Sequence, residues 1–181
     1  SEVAPILRGA VALPDPNAAG AWKRLILEFR TNDAIEKFVN GADVARYARA
    51  GVITPDHTIR TKNWPMIAPA PDADRLAEFG DRTRQAASDF ADRYRAYFER
   101  NNDRVRGTKT MLDPAPRVVL VPGLGLFGLG RTRKDARVAA DLAEAAVEAI
   151  TEAEAIGRFS PIGEADMFDV EYWSLEQAKL G

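Results

Sequence analysis

Residues 117–150 read RVVLVPGLGLFGLGRTRKDARVAADLAEAAVEAI, and the order of signals in this stretch decides the fold. Arg117–Val121 is a short unbroken run rich in β-branched residues, the pattern of a strand buried on both faces. Pro122-Gly123 is a turn pair. Thr132 and Asp135 stand at the T-x-x-D spacing of a capping box, in which each side chain satisfies the other residue's backbone amide at a helix start. Beyond it Ala136, Ala139, Leu142, Ala143, Ala146, Val147 and Ile150 recur at helical spacing, so a long amphipathic helix is predicted, ending at Gly157. Between strand and helix, Gly123–Gly130 admits two readings. As a hairpin, its glycines permit close packing and Leu124, Leu126, Phe127 and Leu129 alternate faces. As G-x-G-x-x-G, its Gly123, Gly125 and Gly128 are candidate cofactor-binding residues, letting a backbone approach a dinucleotide pyrophosphate. Such a site wants a second strand ending in an acid about 20 residues on. Here that distance falls on Glu148, inside the predicted helix.

Working outward, Ile6–Leu13 is an apolar run closed by the turn cluster Pro14-Asp15-Pro16-Asn17, and Leu25–Phe29 reads as a strand. Asn32 is placed to cap a helix carrying Ile35, Phe38 and Val39 on one face, and Asp43 a second short one ended by Gly51. Val52–Thr54 reads as a strand broken by Pro55, with Ile59–Lys62 continuing extended before the Pro-rich loop Trp64–Pro71. Asp72–Asn101 is a long helix whose Leu76, Phe79, Thr83, Ala86, Phe90, Tyr94 and Tyr97 make a core-facing stripe. Strands alternate with helices, which defines an α/β fold: a small sheet covered by helices. Residues 1–157 form the expected domain. Residues 158–181 form an acidic, aromatic tail with a short helix at Ser174–Leu180, expected to pack on a neighbouring domain.

Composition narrows the chemistry. The 181 residues are 46% hydrophobic and 29% charged, a globular balance with room for one ordinary domain. There is no cysteine, which excludes thiolate zinc sites, iron–sulfur clusters and a cysteine nucleophile, and fits a reducing cytoplasm. A single histidine excludes a metal centre built from two or three histidines within the chain. The net charge of −2 gives no general attraction to nucleic acid or to an anionic membrane. No stretch reaches the ~18 apolar residues of a spanning helix, and no signal-peptide pattern opens the chain.

The one histidine, His57, lies in TPDHTIRTK (54–62), with Asp56 beside it and Arg60 and Lys62 following. His57 and Asp56 are the candidate catalytic pair, and His57 a candidate metal ligand. Arg60 and Lys62 are candidates for holding a substrate phosphate. So are Arg131 and Thr132, where cations and backbone amides meet at a helix start.

The 117–150 stretch resembles the last strand pair and closing helix of class II, metal-dependent aldolases, with Pro122-Gly123 in the turn where that family carries a zinc-ligating His-Gly. GVITPDHTIRTK, DPAPRVVLVPGLGLFGLGRT and the closing EADMFDVEYWSLEQAKLG resemble the central region of bifunctional rhamnulose-1-phosphate aldolase/short-chain alcohol dehydrogenases. The resemblance implies an aldolase-like three-layer domain set between a flanking aldolase part and a dehydrogenase. It also implies a sugar-phosphate substrate and, for the whole protein, a divalent metal such as zinc and NAD, with neither cofactor held by this chain alone. The opening without methionine and the ending WSLEQAKLG fit a segment internal to a longer polypeptide. Two other readings remain open: an autonomous NAD(P)-binding oxidoreductase using Gly123–Gly130, and an architectural or homo-oligomerising module.

Overall fold

The computed structural model describes residues 2–15 and 17–180; Ser1, Gly181 and, from the turn cluster, Pro16 lie outside the described residues. A four-stranded sheet forms the middle layer: β3 (Ile26–Arg30), β6 (Gly125–Gly130), β5 (Val118–Val121) and β4 (Met66–Ile67), in that spatial order. β3, β6 and β5 pair antiparallel, and β4 joins β5 in parallel. A two-stranded ribbon, β1 (Leu13–Pro14) with β2 (Trp22–Lys23), stands apart.

Alternation along the strands sets the layers. Val118, Leu120 and Leu126 pack with the helices α2 (Asp33–Val39) and α6 (Arg133–Ile156). Val119, Val121, Phe127 and Leu129 face the other way, into a core shared with α1 (Val3–Ala10) and α5 (Leu76–Arg104). The result is a mixed α/β fold with helices on both faces of the sheet, as the sequence pattern and the aldolase resemblance led one to expect.

Local chemistry explains the helix starts. The Asn32 side chain accepts a hydrogen bond from the Ile35 amide at 2.8 Å, capping α2. Thr132 and Asp135 form a complete capping box at the head of α6. None of the described helices is long and apolar enough to cross a membrane.

The glycine-rich stretch is the hairpin β5–turn–β6, with Gly123 at φ +76° in the turn. Other segments differ from expectation: Val52–Thr54 forms no strand, and Met66–Ile67 within the expected Pro-rich loop is the short strand β4. Pro55–Thr61 is a helix, α4, and not extended chain. Pro55 sits at the first helical position, where its fixed φ suits a helix and its missing amide costs nothing, so here it starts an element instead of breaking a strand. The segment after Gly157 folds back onto this same chain. In α7 (Glu164–Glu171) Met167, Phe168 and Glu171 are buried, and Tyr172 follows them into the main core. Its aromatic residues lie against Tyr97 and Phe98 of α5, which supplies the apolar area that anchors it.

Candidate functional site

The segment 54–62 is the expected centre of the chemistry, and helix formation separates its members. His57 faces inward and is only 4% exposed. Its Nε2 lies 2.9 Å from the Leu142 carbonyl oxygen, which only accepts, so Nε2 carries the proton and Nδ1 accepts from the Thr54 hydroxyl at 2.8 Å. Burial holds its pKa below the usual histidine value. Both nitrogens are therefore occupied, Nδ1 by Thr54 at the start of α4 and Nε2 in pinning α4 to α6. Asp56 points outward and pairs with Lys179 at 2.8 Å, so it does not work with His57 as a pair. Among the described residues no three His, Cys, Asp or Glu side chains are placed to hold a metal ion. This donor set does not fit a zinc centre.

The glycines have a different job from the one a nucleotide site would give them. Gly128 and Gly130 lie in β6 beneath the first turns of α6. A Cβ on Gly128 would stand 2.4 Å from the Ala136 carbonyl oxygen, and one on Gly130 2.3 Å from the Ala136 amide nitrogen. Gly125, at φ +141°, abuts the Arg30 carbonyl oxygen of β3 at 2.6 Å in the same sense. The space a pyrophosphate would need at Gly125 and Gly128 is filled by the chain's own backbone. Thr132 is likewise occupied, with its hydroxyl and amide both engaged by Asp135.

What the fold does bring together is Arg60, Lys62 and Arg131. They line one cavity of about 340 Å³, walled also by Asp113, Arg117, Gln177 and Leu180. Asp113 accepts from Arg117 Nη2 at 2.6 Å and from Arg131 Nη2 at 3.2 Å. Burial would raise the Asp113 carboxyl, but the Arg117 guanidinium, the Lys62 charge and the Ala115 amide together outweigh it and leave the pKa lowered.

Lys62 is the unusual member. It closes α4 with φ +65° and ψ 173°, a backbone region that essentially only glycine occupies without strain. Its Nζ is fully buried and has no hydrogen-bond partner among the described residues. It stands 3.7 Å from the centroid of the Tyr94 ring and 3.9 Å from Glu171 Oε1. Burial pulls its pKa down to about 8, against the opposing pull of Glu171.

Glu171 is wholly buried and accepts from the Tyr94 hydroxyl at 2.7 Å, the Tyr97 hydroxyl at 2.9 Å and Asn63 Nδ2 at 3.3 Å. Burial raises its pKa, with Lys62 and these donors pulling it back. The Tyr172 hydroxyl bonds to that of Tyr94 at 2.7 Å and extends the network toward the Leu112 amide.

Sequence reasoning missed Arg117, Asp113, Glu171 and the three tyrosines. The i,i+4 spacing of Asp113 and Arg117 was the one available signal. Glu171 looked like any acid of the tail, because its partners lie 74 to 108 positions away in the chain.

Residues 1–180 match the family described as Aldolase class II, second domain. The chain belongs to that family. It is also similar to the uncharacterized oxidoreductase YuxG of Bacillus subtilis (strain 168), with 30% identity over 179 residues, covering 98% of this chain and 24% of that protein. The chain thus spans about a quarter of the length of this curated relative. No solved structure matches.

Proposed function

We propose that this chain is the second domain of a bifunctional sugar-phosphate aldolase and short-chain dehydrogenase, supporting and contacting the reaction without supplying a complete catalytic centre. The observation that carries the reading is the end-to-end family match, taken with a relative that is named an oxidoreductase and is about four times as long. In this reading the flanking aldolase part cleaves a ketose phosphate such as rhamnulose 1-phosphate. One carbon–carbon bond breaks to give dihydroxyacetone phosphate and an aldehyde. The dehydrogenase part then removes a hydride from the hydrated aldehyde with a nicotinamide cofactor, leaving the acid, in the cytoplasm.

A divalent metal stabilises the enediolate oxygen in such a cleavage. Neither it nor the nicotinamide is assigned to this domain. His57 has no free nitrogen to offer a metal, and the space is filled by α6 above Gly128 and by β3 beside Gly125. The domain's own residues do the structural part of the work: α4 and α7 are tied together through Lys62 and Glu171, and the cationic cavity sits beside that tie.

The test is a coupled assay on the intact protein with rhamnulose 1-phosphate and NAD. Formation of dihydroxyacetone phosphate together with NADH is the expected result. Absence of either product overturns the bifunctional reading.

A further inference from the structure

We propose that the cavity between α4, the 112–117 segment and the head of α6 is a binding site for a phosphate monoester, held by Arg60, Lys62 and Arg131 with Arg117 as support. Cations from separate parts of the chain converge there, and the ion pairs within the cavity do not consume them all. Asp113 alone serves Arg117 and Arg131, and Asp135 is closed into the capping box with Thr132. The Arg60 guanidinium has no hydrogen bond or ion pair among the described residues. Arg131 keeps most of its fork open, its side chain being 76% exposed.

The decisive group is Lys62. A buried ammonium with no hydrogen bond is costly, and its nearest acid is beyond hydrogen-bond distance. The strained backbone holds this lysine where helix geometry would put glycine. Lys62 is part of the wall of the cavity together with Asp113, Arg117 and Arg131, its amine lying behind that wall beside Tyr94 and Glu171. A dianion in the cavity would meet the arginine forks, whose planar donors suit phosphate oxygens, and its charge would offset that of the buried amine behind the wall.

The volume of about 340 Å³ lies at the small end of small-molecule sites and matches a single sugar with its phosphate better than a dinucleotide. Naming the ligand a sugar phosphate rests on the bifunctional reading above; the anion site itself does not. Gln177 of α8 (Ser174–Gln177) and Leu180 form part of the wall.

Calorimetric titration of the intact protein tests this with three probes: inorganic phosphate, dihydroxyacetone phosphate and NADP. Inorganic phosphate is expected to bind, and Arg60→Ala and Arg131→Ala each to weaken it about tenfold or more, with binding falling as salt is raised. Both side chains reach solvent, so neither substitution threatens the fold. Phosphate binding that is absent, or unchanged in both variants, overturns the site. Tighter binding of dihydroxyacetone phosphate than of inorganic phosphate supports the sugar-phosphate assignment. Equal binding, or displacement of phosphate by NADP, overturns that assignment while the anion site stands.

Discussion

Gly128 lies against Ala140: a Cβ on the glycine would come within 2.4 Å of the Ala140 amide nitrogen, closer than such atoms approach in proteins. The sheet and α6 are in backbone contact there, so neither can yield by turning a side chain. Gly128→Ala is expected to cost about 3 kcal/mol by forcing the helix off the sheet. Urea denaturation of the protein would show it as a lowered midpoint; an unchanged midpoint would mean that α6 has room to move.

Burial gives His57 a pKa below its ordinary 6.5, so the unfolded chain binds a proton that the folded chain refuses. The sign follows directly. Stability is expected to fall as pH drops below about 6.5, and to level off only below the lowered folded value. His57→Gln should flatten this part of the profile. Thermal melts of both proteins between pH 5 and 7.5 would check it, and parallel slopes would refute it.

Lys62 and Glu171 are a buried pair, and losing one member leaves the other uncompensated. Lys62→Met and Glu171→Gln are each expected to cost about 3–5 kcal/mol. The double variant should recover much of that loss, since no charge remains and the glutamine oxygen still accepts from one tyrosine hydroxyl while its amide group can donate to the other. A double-mutant cycle by denaturant titration measures the coupling; simple additivity would show that the pair does not interact.

Thr132→Ala removes half of the capping box and is expected to cost about 1 kcal/mol. Phosphate affinity should not change, because the hydroxyl is already held by Asp135. A loss of affinity on calorimetry would return Thr132 to the ligand site.

How much of this was legible in the sequence follows from the range of the interactions involved. The hairpin, the capping box and the two long helices are written in neighbouring residues, and the T-x-x-D spacing located the start of α6. The helix at 55–61 was obscured because proline both breaks strands and begins helices, and the deciding contacts, among them His57 with Leu142, are remote in sequence. For the candidate site, Arg60, Lys62 and Arg131 carried visible charge and do share a cavity. Their setting did not show: Glu171 lies 109 positions after Lys62, and no local pattern distinguishes a buried acid from its solvated neighbours in an acidic segment.

The backbone of Lys62 sets two demands against each other at one position. A glycine there would relax the end of α4, and the lysine keeps an amine beside the cavity. Lys62→Gly combined with Glu171→Gln therefore asks which demand shaped the segment. A chain that melts higher yet no longer holds phosphate would mark this residue as one where thermal robustness has been given up for recognition, and would warn against choosing it when hardening the protein.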